Sequence, residues 1–303
     1  MKLHRLEKRA LGRTGFDCTL LGFGALEIGR DWGFGTEEMR RKPGEAEATP
    51  VLNRVLDLGV NLIDTARAYH RSEERIGASI AHRRSEYFLA TKCGEHSDEP
   101  RTYYDFSYDA IARSIDLSRS LLQTDVIDLI QIHFGPDPTR VLDDGETVKA
   151  MKEAREAGKV RWLGASPGNE LLDRCIESGD FDVLQVGFNL LHQDAAPLIQ
   201  KACDRGIGIL IRSGLGMGWL TGRALTAPRS EWPTTVSKLM ELVSGDSAML
   251  HRLALAYLKS QTGISSILVG TKNIAHLEQN ADMLADEADP AMVELAARIA
   301  RDA

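Results

Sequence analysis

Eight short apolar runs, each followed by a longer segment of helical spacing, constrain this chain more than any other feature. The runs are Leu20–Ala25, Val60–Ile63, Tyr87–Thr91, Val126–Ile132, Val160–Ala165, Asp182–Gly187, Ile207–Ile211 and Ser265–Val269. A run that is apolar at successive positions reads as a strand buried on both faces, as in a parallel sheet. Between the runs, apolar residues recur three and four apart. Val51, Leu52, Val55 and Leu56 follow an expected helix start at Thr49-Pro50, and Ile76 and Ile80 follow an expected N-cap at Ser72. Asp109–Leu122 carries Ile111 and Ile115; Val148 and Met151 follow a cap at Asp143 or Asp144. Leu171, Leu172, Cys175 and Ile176 follow Asn169, and Pro197–Asp204 forms the next helix. Asp246 or Ser247 opens a helix, Asn273 caps another, and Pro290–Arg301 adds a last one. Eight alternations are too many for an ordinary doubly wound sheet and predict a closed (β/α)8 TIM barrel. The 303 residues suit one such barrel, with no linker or second domain, so residues 1–303 are expected to form a single domain. Ahead of the first run, Arg5–Leu11 and Phe16–Leu20 flank Gly12 and Gly15, which reads as a β-hairpin.

Composition matters here for what it excludes. A net charge of −7, with only short basic runs at Arg40–Lys42 and His82–Arg84, argues against a nucleic-acid partner. No run approaches the ~18 apolar residues of a membrane helix, and MKLHRLEKRA lacks the apolar stretch of a signal peptide. Cys18, Cys93, Cys175 and Cys203 show no Cys-x-x-Cys spacing, which fits reduced thiols and neither a disulfide frame nor a metal site. A cytoplasmic protein is expected. The spacing says nothing of oligomeric state.

Four residues stand where an apolar run meets a loop. Asp64 ends the second run, Tyr69 follows it by five residues, Lys92 ends the third, and His133 ends the fourth. Consecutive barrel strands are neighbours, so these groups converge at the C-terminal rim, where barrel enzymes keep their chemistry. Each alone has a structural explanation: an Asp capping a turn, a Tyr covering apolar surface, an ion pair bracing two strands.

The motifs around them settle on one family. GVNLIDTARAYHRSEERIG (Gly59–Gly77), ATKCG (Ala90–Gly94), DLIQIHFGPDP (Asp128–Pro138) and GKVRWLGAS (Gly158–Ser166) occur in the order found in aldo-keto reductases. FDVLQVGFNLL, GIGILIRSGLGMGWLTG and ILVGTKNIAHLEQNA continue it, so the chain resembles that family over most of its length. The resemblance implies that the hairpin closes the bottom of the barrel and that Asp64, Tyr69, Lys92 and His133 form a catalytic tetrad. The chemistry agrees. Hydride reaching a carbonyl carbon leaves an alkoxide in need of a proton, and an ammonium beside a tyrosine lowers its pKa. Lys92 would assist Tyr69, Asp64 would pair with Lys92, and His133 would hold the substrate oxygen.

A nicotinamide cofactor must bring the hydride, because no side chain can. By resemblance, Ser166 and Gln185 hold the carboxamide, although Pro167 stands where the family usually has asparagine; Asn169 is the nearest other amide. Arg212 would stack on the nicotinamide, in a place where many relatives have an aromatic ring. Ser213, Gly214 and Leu215 would meet the pyrophosphate. Gly270 and Lys272 open the last barrel helix, whose positive end suits a 2′-phosphate, and His276, Gln279 and Asn280 would meet the adenosine. NADP(H) is expected, with NAD(H) the alternative. The expected reaction is reduction of small aldehydes or ketones. The alternatives are a sugar or alcohol dehydrogenase working in the oxidative direction, and a cofactor-binding regulatory subunit. Trp32, Phe134 and Trp219 are expected in the substrate pocket, within the loops Gly29–Ala48, Phe134–Arg140 and Gly216–Trp232.

Overall fold

The computed structural model describes residues 6–303. Its centre is a closed barrel of eight parallel strands: β3 (Leu21–Gly24), β4 (Leu62–Asp64), β5 (Phe88–Cys93), β8 (Ile127–His133), β9 (Val160–Ser166), β10 (Val183–Gly187), β11 (Gly208–Arg212) and β12 (Ser266–Val269). β12 pairs with β3 and closes the ring. Helices lie between successive strands. Outside the barrel are two antiparallel hairpins: β1 (Lys8–Ala10) with β2 (Asp17–Thr19), and β6 (Glu95–Asp98) with β7 (Arg101–Tyr104). The first is the expected hairpin. Its proposed beginning at Arg5 lies outside the described residues. The second interrupts the connection after β5 and has no apolar alternation to announce it.

Two cores follow from the alternation of side chains along each strand. Leu62, Phe88, Ala90, Leu129, Val183, Leu210 and Leu268 point into the lumen, and Leu11 and Cys18 of the first hairpin close it from below. The other parity packs against the helices in one large apolar cluster, with Ile63, Leu89, Ile130, Leu184 and Ile211 fully buried. The inward parity then carries the argument to the site. Two residues beyond the apolar lumen positions stand Asp64, Lys92, Gln131, Gln185 and Arg212. The lumen is therefore apolar below and polar at the C-terminal rim.

Helix starts differ from expectation in four places. The helix Glu45–Asp57 begins a turn before Thr49, with Gly44 at its N-cap and the Glu47 carboxylate accepting the Gly44 N–H at 2.6 Å; Pro50 sits inside it. Ser72 is the first helical residue of Ser72–Ile80 and caps nothing. Its hydroxyl accepts from Thr65 Oγ1 and donates to the Ala25 carbonyl, both at 2.8 Å. Gly145 precedes Glu146–Glu156 where Asp143 or Asp144 was expected, and Gly168, not Asn169, precedes Asn169–Ser178. The Asp246 and Asn273 caps form as expected, each accepting two backbone N–H groups.

Candidate active site

Lys92 is the hinge of the site. Its side chain is 1% exposed, and its ammonium donates to Asp64 Oδ2, to the Thr65 carbonyl at 3.0 Å and to the Tyr69 hydroxyl at 3.4 Å. Asp64 Oδ1 accepts the amides of Gln131 at 2.8 Å and Gln185 at 2.9 Å. Strand register makes this possible. Asp64 lies level with Ala90 across β4 and β5, and Lys92 lies level with Gln131 across β5 and β8. The carboxylate thus has one oxygen on an ammonium and one on two amides. That is the full satisfaction a buried ion pair requires.

Tyr69 is held by its loop. Its N–H donates to the Ala66 carbonyl, and its own carbonyl accepts from Ser72, both at 3.0 Å. Below it, Glu73 is fully buried, accepting from Arg67 at 2.8 Å and from Thr91 Oγ1 at 2.6 Å. Gly29 is required beside this loop, since a Cβ there would come within 2.1 Å of the Tyr69 carbonyl oxygen. The phenol is placed by packing and not by chance.

Electrostatics refine the expectation. The desolvated surroundings push Tyr69 up; Lys92 pulls it down, Asp64 pushes up again, and the net shift is upward. The expected lowering by Lys92 is present but outweighed by burial. The phenol therefore keeps its proton throughout the neutral range, as a donor must. For Lys92, burial pulls down, but Asp64 and Tyr69 outweigh it and the shift is upward, so its charge survives burial. His133 is moved down by burial, which Glu95 only partly offsets.

Tyr69, His133 and Asp64 border a cavity of ≈ 1150 Å³ that runs across the rim; Lys92 lies just behind its wall. All the residues expected at the cofactor also border it. Ser166 Oγ lies 3.5 Å from Gln185 Oε1, beside Arg212, Ser213, Gly214 and Leu215, and Gly270, Lys272, His276, Gln279 and Asn280 line the far end. Several carry commitments that the sequence does not reveal. Gln185 Nε2 is given to Asp64. The Arg212 guanidinium donates to the Pro167 carbonyl at 3.1 Å, and Asn169 is not among the residues that border the cavity. Lys272 Nζ donates to the carbonyls of Glu38, at 3.1 Å, and Arg41; it must exchange these to meet a phosphate. Asn280 borders that end of the cavity, and its side-chain amide donates to the His276 carbonyl at 2.7 Å. The donor set along the cavity fits a nicotinamide dinucleotide.

Trp32 and Phe134 line the cavity as expected. Trp219 does not; its ring stacks on Phe34 at 4.8 Å, so the pocket-wall assignment is corrected. Two functional neighbours went unread. Gln131 was signalled only by one polar residue within the apolar run of β8. Glu95, whose carboxylate lies 3.0 Å from His133 Nδ1, had no signal beyond following Gly94.

Comparison with known proteins agrees with this geometry. The model of the Aldo/keto reductase family matches residues 20–300. L-galactose dehydrogenase of Arabidopsis thaliana is 29% identical over 300 residues, covering 91% of this chain and 87% of that protein. An uncharacterized oxidoreductase, YqkF of Bacillus subtilis, is 26% identical over 292 residues, covering 91% and 90%. The solved holo form of an aldo-keto reductase from Bacillus halodurans superposes with a TM-score of 0.81 at 25% identity, covering 97% of this chain and 96% of the other.

Proposed function

The chain belongs to the aldo/keto reductase family, whose members are nicotinamide-dependent oxidoreductases, and from that premise we propose that it reduces small aldehydes or ketones with NADPH. The observation that carries the reading is the Lys92 ammonium, paired with Asp64 on one side and 3.4 Å from the Tyr69 hydroxyl on the other, behind the wall of a cavity of ≈ 1150 Å³. Residues from Ser166 to Asn280 would hold a nicotinamide cofactor, which would supply the hydride to the carbonyl carbon. Tyr69 gives its proton to the oxygen that becomes an alkoxide, and Lys92 stabilises the phenolate left behind. Asp64, braced by Gln131 and Gln185, keeps Lys92 charged and pointed at the phenol. Arg212 and Ser166 would orient the nicotinamide, and Lys272 would meet the 2′-phosphate after leaving its two carbonyls.

Purified protein should consume NADPH in the presence of a simple aromatic aldehyde, and more slowly with NADH. Absence of turnover with either cofactor would leave a binding protein. A second reading, an NAD(P)-linked sugar or alcohol dehydrogenase, is favoured by the resemblance to L-galactose dehydrogenase. Rates in both directions with a polyol and its carbonyl counterpart separate the two.

A further inference from the structure

His70 follows Tyr69 directly and takes a backbone conformation that is unfavourable for it. Its φ is +48°, in the left-handed region where a side chain crowds the main chain and glycine is favoured. A residue other than glycine persists there only when its surroundings hold it. Here the hold comes from the ring. His70 is 9% exposed, and its Nδ1 lies 2.7 Å from the hydroxyl of Ser97. A hydroxyl both donates and accepts, so this hydrogen bond forms with either tautomer of the imidazole. Among the described residues it is the one hydrogen bond between loop 65–71 and the β6–β7 hairpin.

The hairpin is placed to reach the rim. Gly94, with φ +101°, turns the chain out of β5; a Cβ there would come within 2.3 Å of the Phe106 ring. Alternate residues of a strand share a face, and on β6 Glu95 and Ser97 are alternate. Glu95 lies against His133, with Oε2 3.0 Å from Nδ1, and Ser97 lies against His70. One face of one short strand thus meets both the histidine that ends β8 and the residue next to Tyr69. The return strand backs that face, with Tyr104 level with Glu95 and Thr102 level with Ser97. The Tyr69 N–H and carbonyl are bonded close by in sequence, to Ala66 and Ser72. A tie to a separate element one residue on therefore bears on where the phenol stands. Neither His70 nor Ser97 is among the residues that border the cavity.

We propose that His70 and Ser97 are positioning residues: through their hydrogen bond the hairpin holds the Tyr69 loop, so that the phenol stays beside Lys92. The left-handed turn at His70 aims its ring at the hairpin and away from the cavity. The effect on rate rests on the carbonyl reaction proposed above; the effect on the place of the phenol does not.

Two measurements test it. Ser97→Ala removes one half-buried hydroxyl, and His70→Asn shortens the side chain while keeping a residue that tolerates the left-handed turn. Each should slow single-turnover NADPH oxidation with nitrobenzaldehyde by roughly ten- to a hundredfold, as a small misplacement of a reacting group does, with the Kd for NADPH within about twofold of native. The double variant should be no slower than the slower single one, and Ser97→Thr, which restores the hydroxyl, should bring the rate back. A Ser97→Ala rate within about twofold of native would overturn the proposal, as would losses that multiply in the double variant. A Kd for NADPH weakened in step with the rate would overturn it too, since that marks a site loosened as a whole. The second measurement needs no turnover. In enzyme labelled with ¹³C at tyrosine Cζ, the Tyr69 signal, assigned by its loss in Tyr69→Phe, should move in Ser97→Ala and return in Ser97→Thr. Tyr257, stacked on Phe188, is the control that should stay in place. If the native chain reduces no aldehyde, the carbonyl reaction fails and this spectrum alone decides: an unmoved Tyr69 signal overturns the proposal.

Discussion

Lys92→Met removes the ammonium that holds the site together while nearly keeping its volume. Asp64 would remain buried at 3% exposure, with Gln131 and Gln185 still on Oδ1 and nothing on Oδ2. Removing one partner of a buried pair costs about 3–5 kcal/mol, and the two retained amides place this case near the lower end, at about 3 kcal/mol. With an unfolding entropy of about 2.1 cal/mol/K per residue over 303 residues, that loss corresponds to roughly 5 °C in Tm. Calorimetry should show this lowered Tm. Reduction of nitrobenzaldehyde should fall by about 10²-fold or more, since an unassisted phenol is a poor acid at neutral pH. An unchanged Tm, together with more than a tenth of native turnover, would refute the coupling of Asp64, Lys92 and Tyr69.

Two further outcomes concern the cofactor. Lys272→Glu should weaken NADPH binding by roughly tenfold more than NADH binding, through loss of one charged contact; fluorescence titration giving equal losses would remove Lys272 from the 2′-phosphate. Arg212→Ala should weaken NADPH and NADH alike, because the nicotinamide is common to both, and an unchanged Kd for both would return Arg212 to bracing the Pro167 carbonyl.

The barrel was legible because its signal is local. Each strand is apolar at successive positions, and the repeat of eight leaves little choice of closure. The convergence of Asp64, Lys92 and His133 was legible for a related reason: they follow apolar runs, and strand order alone carries them to one rim. Helix starts were read less well. Ser72 has the chemistry of an N-cap, but tertiary contacts with Thr65 and Ala25 claim its hydroxyl. Trp219 was assigned to the pocket for its place in the Gly216–Trp232 loop, whereas its partner Phe34 lies on a distant loop that sequence cannot bring alongside. Glu95 was hidden for the same reason. Its meaning depends on a turn at Gly94 and on His133, 38 residues on in the sequence. The shift of Tyr69 depends on a competition that spacing does not weigh, in which burial exceeds the pull of Lys92.

The central claim is that Tyr69 gives the proton, and single-turnover reduction by Tyr69→Phe tests it most directly. The substitution keeps the ring, its loop contacts and the cavity wall, and deletes only the hydroxyl 3.4 Å from Lys92 Nζ. NADPH should bind as it does to the native chain, while NADPH oxidation in a single turnover with nitrobenzaldehyde should slow by about 10²–10⁴-fold. If the variant instead kept more than about a tenth of the native rate, well short of the loss of a general acid, the proton would have to come from another group, with His133 the first to examine.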